Sequence, residues 1–321
     1  MTKSDLKIVF FGAPYFSAEI LKSLLNGGFS VDAVVTHPDQ PVGRKKKLTP
    51  TDVKLLAKSK NIPVREFALL NETAYKICQE LKPDLFVVAS YGLIIPEKFL
   101  TIPTLGSLNV HPSLLPKLRG ATPIQTALQQ GLKITGSSII LMDAGMDSGN
   151  IIRQEKLDIG TKDTYPILEK KLLKISKRLL VDVLRTIEKT GRAPKGINQN
   201  HSQATFTRML SKKDGLVNWR ETAETIYNKW RAFYNWPETY TFYKKQKLIL
   251  KEISPVKLAT KNPLQEGSVF QLNKKRGEIF VQTGKGILQI DKLQLAGKKI
   301  LSAKDFLNGQ ADFIGSVLGE D

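Results

Sequence analysis

Three stretches of the chain hold polar side chains at spacings that could do chemistry. In 107–116 (SLNVHPSLLP), strand-like alternation puts Asn109 and His111 on one face of an extended segment. A neutral amide donor beside an imidazole can grip a carbonyl oxygen, which is the equipment of an oxyanion hole for acyl transfer. A single histidine near a strand end is more often a plain hydrogen-bonder, so the reading rests on its neighbours. The second stretch, 142–149 (MDAGMDSG), brackets Asp143 and Asp147 with glycines. Such acids form ordinary Asx turns; one that reaches His111 would orient the ring or accept a proton. The third is Arg44, Lys45, Lys46 and Lys47, four consecutive cations in a segment bounded by Pro38, Pro41 and Pro50, placed to clamp a phosphate backbone or simply to be solvated.

Other chemistries are excluded. The turn after the first apolar run, Phe11-Gly12-Ala13-Pro14, has one glycine where a dinucleotide fold needs three, so no nicotinamide or flavin site is expected. No carboxylates follow calcium-loop spacing, and the single cysteine, Cys78, with His37, His111 and His201 makes no zinc pattern. No metal and no disulfide are expected.

Elements must hold the polar groups in place. Apolar runs at 7–11, 31–36, 85–89 and 107–110 alternate with helical periodicity at 18–25, 51–58 (Thr51 as N-cap) and 72–81, and Pro123 opens a further helix. Buried strands separated by amphipathic helices predict a Rossmann-like α/β domain, a mostly parallel sheet covered on both faces. Such sheets bind ligands outside the carboxyl ends of their strands, where Asn109 and His111 lie. A strand at 138–141 precedes the aspartate loop. A long helix over 165–190 closes the domain, set at 1–190, and a polar stretch at 191–207 reads as a linker. Beyond it, a helix near 221–233 and five short β-type runs (240–243, 247–253, 267–272, 278–283, 287–293) predict a small OB-like β-barrel over 208–321, with a β-sandwich as the alternative.

Lysine and arginine number 49 against 30 acids, a formal charge of +19, and 208–321 alone holds 20 against 12. A polyanionic partner is the natural consequence, although a lysine-rich composition can also serve solubility. With 41% hydrophobic residues the chain is not disordered, no apolar run is long enough to span a bilayer, and 1–7 does not resemble a signal-peptide core. A cytoplasmic protein without membrane contact is expected.

SLNVHPSLLPKLRGATPIQTAL followed by MDAGMDSGNII resembles the signature pair of the 10-formyltetrahydrofolate-dependent formyltransferases. The resemblance implies that Asn109, His111 and Asp147 are the catalytic trio, that Ser113, Leu114, Leu115 and Pro116 contact the folate, and that 10-formyltetrahydrofolate is the co-substrate. HPDQPVGRKKKLTPTDVK at 37–54, ATFTRMLSKKDG at 204–215 with Trp219, and RAFYNWP at 231–237 are similar to the branch of that family acting on methionyl-tRNA. That branch implies formyl transfer to the α-amine of initiator methionyl-tRNA by a monomer, with Arg44 and Lys45 to Lys47 on the tRNA. A small-substrate formyltransferase or formyl hydrolase would share the trio without needing a basic C-terminal domain. A noncatalytic RNA-binding protein would explain the charge and leave the trio idle.

Overall fold

The computed structural model describes residues 6–43, 46–258, 264–273 and 276–319. Two compact units divide the chain: Met1–Pro123, Ile134–Asp158 and Glu169–Arg208 in the first, and Ile124–Lys133, Ile159–Leu168 and Met209–Asp321 in the second.

In the first unit the elements follow as β1 (Ile8–Gly12), α1 (Tyr15–Asn26), β2 (Val31–Thr36), β3 (Gln40–Val42), β4 (Lys47–Thr49), α2 (Asp52–Ser59), β5 (Val64–Glu66), α3 (Glu72–Glu80), β6 (Leu85–Ala89), α4 (Glu97–Leu100), β7 (Ser107–His111) and β8 (Arg119–Gly120). α5 (Pro123–Gln129) belongs to the second unit from Ile124 onward, and the first unit resumes with β9 (Ile134–Leu141), β10 (Asn150–Asp158), α6 (Tyr165–Thr190, in this unit from Glu169) and β11 (Phe206–Thr207). The main sheet runs β10-β9-β7-β6-β1-β2-β5. Pairs from β7 through β5 are parallel, whereas β9 and β10 are antiparallel.

Alternation along β1 explains the two-sided core. Ile8 and Phe10 pack with Leu21, Leu24, Val53 and Leu180 from α1, α2 and α6, while Val9 and Phe11 pack with Ala74, Cys78 and Phe99 from α3 and α4. Thr51 caps α2 as its position predicts, its side chain accepting from the Lys54 N–H at 3.2 Å. Burial pushes the Cys78 thiol up to about 11, so it is a protonated core group and not a nucleophile.

Several elements, β3, β4, β5, α4, β8, β10 and β11 among them, escape the periodicity argument. β10 (NIIRQEKLD) is a half-exposed edge strand whose alternating residues include no consistently apolar set, and Gln40–Val42 pairs with Lys47–Thr49 as a small hairpin, β3 against β4. The 191–207 stretch also does more than connect: Gln199 within it is 5% exposed and bonded into the first unit.

The second unit is built on α7 (Ala223–Ala232) and the strands β12 (Tyr240–Tyr243), β13 (Gln246–Val256), β14 (Val269–Phe270), β15 (Ile279–Gln282), β16 (Ile287–Leu295) and β17 (Leu301–Ser302), followed by α8 (Ala303–Gly309). The order β12-β13-β16-β15-β14, antiparallel throughout with β17 on β16, puts the described strands in one sheet, the OB-like arrangement and not a sandwich. Register shifts at Leu250–Ile253 mark the bulges at which such a sheet curls. Its core gathers Trp219, Ile226, Trp230, Leu248, Ile290 and Phe306. Buried Arg231 explains why 159–168 clusters here: its guanidinium donates to the carbonyls of Gly160 (3.3 Å) and Asp163 (3.0 Å) and to Asn228 Oδ1 (2.5 Å).

Candidate active site

β7 ends at His111, and both Asn109 and His111 are buried, at 9% and 4% exposure. Because β9 runs antiparallel to β7, Leu141 lies opposite Leu108, and β10 returns with Asn150 opposite Leu141. The intervening 142–149 loop therefore has to fold over β7 to reach the side chains of Asn109 and His111. It does so with Asp147. Asn109 Nδ2 donates to Asp147 Oδ1 at 3.0 Å across 38 residues of sequence, and His111 Nδ1 lies 3.5 Å from Asp147 Oδ2. The backbone N–H of Gly120 donates to the same Oδ2 at 2.7 Å.

The two loop acids divide their work. Asp143 is exposed and accepts from Gly145 N–H (3.1 Å) and Ser148 Oγ (2.6 Å), an Asx turn that shapes the loop. Asp147 alone reaches the histidine. Its backbone sits in the left-handed region, φ 49°, a conformation that costs a non-glycine residue about 1–2 kcal/mol and must be held in place. Gln199 holds it, donating from Nε2 to the carbonyls of Asp147 (2.8 Å) and Gly149 (2.7 Å). Gln199 Oε1 is gripped in turn by Arg119 Nε (3.2 Å) and Nη2 (2.7 Å), and Arg119 Nη2 lies 3.3 Å from His201 Nδ1.

On the other side of the ring, His111 Nε2 lies 2.9 Å from the carbonyl of Leu118. A carbonyl only accepts, so Nε2 carries a proton and Nδ1 is the nitrogen that faces the carboxylate. The Nδ1–Oδ2 pair can then hold one transferable proton. Asn109, having two N–H groups and one spent on Asp147, retains a second for a ligand oxygen.

The 113–116 segment lies beside this cluster in the chain and is fixed by the sheet. Ser138 Oγ donates to Ser113 O (2.6 Å), and Gln154 Nε2 donates to Leu115 O (2.9 Å) and Ser138 Oγ (2.8 Å). Ser113 is fully buried with its hydroxyl on Lys117 O, and Leu115 is buried; Leu114 and Pro116 are half-buried and keep surface for a ligand. In the basic hairpin, Lys46 and Lys47 are exposed, while Arg44 and Lys45 lie outside the described residues. The hairpin's base is anchored by buried Lys54, whose Nζ meets Asp39 at 2.6 Å and Glu66 at 2.7 Å. His37 stacks on Tyr91 with centroids 5.0 Å apart, a packing role. Among the described residues no group of three His, Cys, Asp or Glu side chains is close enough to hold a metal ion.

Residues 6–184 match the formyl transferase family and 209–311 its C-terminal domain. Methionyl-tRNA formyltransferases of Caldicellulosiruptor saccharolyticus and Alkaliphilus oremlandii are 38% and 36% identical to this chain over 98% of its length and 100% of theirs. The chain belongs to the methionyl-tRNA formyltransferase family. Solved structures agree on the fold. HypX from Aquifex aeolicus in complex with tetrahydrofolic acid superposes with a TM-score of 0.66 at 14% identity, over 99% of this chain and 49% of that one. The N-formyltransferase from Helicobacter canadensis gives 0.64 at 19% identity, over 89% and 98%.

For a member of this family, Gln199, Arg119 and the Gly120 N–H are parts of the site that residue patterns did not single out. Gln199 sits among asparagines and glutamines typical of a linker, and burial of one amide in such a stretch leaves no periodic trace. Since Gln199 holds the Asp147 backbone, Gln199→Leu is expected to lower kcat about 10-fold with KM for both substrates unchanged. Steady-state kinetics check this; a wild-type kcat would show that the loop holds Asp147 unaided.

Proposed function

We propose that this formyltransferase moves the formyl group of 10-formyltetrahydrofolate to the α-amine of initiator methionyl-tRNA, with Asn109, His111 and Asp147 as the reacting site. The observation that carries the reading is the meeting of an amide, an imidazole and a carboxylate, from two separate segments, at 3.0 and 3.5 Å. The neutral amine attacks through its lone pair and releases an N–H proton as the C–N bond forms, and the Asp147–His111 pair is placed to take that proton, directly or through one water. Attack forms the new C–N bond and puts negative charge on the formyl oxygen. The free N–H of Asn109 donates to that oxygen, joined by His111 when Nε2 turns from the Leu118 carbonyl. Collapse breaks the bond to N10 of the folate, which leaves with the proton returned from the pair. Formyl-methionyl-tRNA and tetrahydrofolate are the products.

Leu114 and Pro116, with the backbone of Ser113 and Leu115, are the proposed folate contacts. The proposed enzyme acts as a monomer, and the tRNA substrate supports a cytoplasmic location. No helix among the described residues is long and apolar enough to cross a membrane.

Arg44, Lys45, Lys46 and Lys47 are proposed to hold the acceptor end and the 208–321 segment the body of the tRNA, by phosphate contacts. Replacing Lys46 and Lys47 by alanine is expected to raise KM for tRNA and leave KM for formylfolate unchanged. It should also flatten the log–log salt dependence of tRNA binding by about one unit per lost phosphate contact. Equal damage toward both substrates would favour a small-substrate formyltransferase.

A further inference from the structure

The second unit holds a cavity that the reaction does not use. It is a half-open pocket of about 220 Å³ at the end of α7, against β13 and β16. That is smaller than the ~300 Å³ at which drug-sized ligand sites begin, and it suits one ring system. Trp230, Phe233 and Tyr234 form one wall. Tyr227 stacks on Trp230 at 5.5 Å and 18°, and Tyr234 meets Trp230 edge-on at 5.5 Å and 74°. Trp230 and Phe233 are buried, but Tyr234 remains 47% exposed at the wall's edge. A further lining residue, Thr239, is 1% exposed, and its hydroxyl is buried without a hydrogen-bond partner among the described residues.

The rim is polar and balanced. Glu238 pairs with Lys251, and Glu252 pairs with Lys292 at 2.8 Å. Two cations matched by two anions make a poor phosphate site. They do set acceptors beside donors, the pattern that complements the Watson–Crick edge of a base. Guanine fits best, since its N1–H and N2–H can share one carboxylate while a lysine donates to O6. Aromatic walls are how proteins hold bases that have left the stack. The surroundings favour a nucleotide within a polyanion: exposed Lys298 and Lys299 adjoin Ile300, which lines the cavity, and 208–321 holds 20 basic against 12 acidic residues.

We propose that this cavity takes a single unstacked nucleobase, guanine by preference, of the bound tRNA, so that the second unit reads one base besides gripping phosphates. The proposal rests on the tRNA reading above. It is tested on the full chain by tryptophan fluorescence with GMP, UMP and ribose 5-phosphate, and by direct tRNA binding, in wild type, Tyr234→Ala and Glu252→Gln.

GMP is expected to perturb the fluorescence, UMP to bind more weakly and ribose 5-phosphate not at all. Tyr234→Ala should weaken both GMP and tRNA binding about ten-fold, Glu252→Gln should weaken GMP more than UMP, and KM for formylfolate should stay unchanged. Ribose 5-phosphate binding as well as GMP would make this a phosphate site. Loss of GMP binding with tRNA binding intact in both variants would make it a site for a free nucleotide. Wild-type binding of both ligands by both variants would show no base site. Any of these three overturns the proposal. Binding is read without formyl transfer, so a wild-type chain that binds tRNA through this cavity but transfers no formyl group would count against the functional reading alone.

Discussion

Asn109→Ala and His111→Ala are each expected to lower kcat by about 10²-fold or more, the loss seen when an oxyanion donor is removed from an acyl-transfer site. The two should differ in detail. Asn109 Nδ2 also donates to Asp147 Oδ1, so its removal frees the carboxylate on one side while His111 still faces it. His111→Ala removes both the ring that faces Asp147 and the donor to Leu118 O. It should therefore slow the reaction more than Asn109→Ala does. Neither side chain is a large core group, so the thermal unfolding midpoint should move by only a few degrees. Single-turnover rates with pre-bound substrates are the measurement. Full turnover by either variant removes that residue from the mechanism.

Asp147→Asn is expected to cost more, about 10³-fold in kcat, because it keeps the shape of the side chain and removes the charge that draws a proton from the amine through His111. One of its two terminal atoms becomes an N–H donor. That donor would oppose either the Asn109 amide or the Gly120 N–H, which now donate to Oδ1 and Oδ2 at 3.0 and 2.7 Å. The loop should survive, since Gln199 holds it through backbone carbonyls that the substitution leaves alone. Binding of formylfolate and tRNA should change little while the rate falls. An unchanged rate and pH profile would leave Asp147 a structural residue.

Much of this was legible in the sequence because the signals were periodic. A five-residue apolar run such as 85–89 is too short for a buried helix and reads as a buried strand, and the 165–190 pattern matches a helix with those same limits. Alternation along 107–111 put Asn109 and His111 on one face. What lacked a period stayed hidden. β10 has no apolar face to betray it. The antiparallel turn of β9 against β7, which brings the aspartate loop over the site, is a long-range pairing that residues 134–141 do not encode locally. Gln199 and Arg119 act through burial, which depends on the rest of the fold.

The central claim is that Asn109, His111 and Asp147 transfer a formyl group to the amine of a methionyl-tRNA. The most direct measurement incubates the purified chain with 10-formyltetrahydrofolate and initiator methionyl-tRNA and reads formyl-methionine after deacylation, beside Asp147→Asn and with a small amine in place of the tRNA. The account predicts rapid formyl-methionine formation by the wild type, about 10³-fold slower formation by the variant, and no comparable transfer to the small amine. Formyl transfer to the small amine at the same rate, or a variant as fast as the wild type, would contradict it.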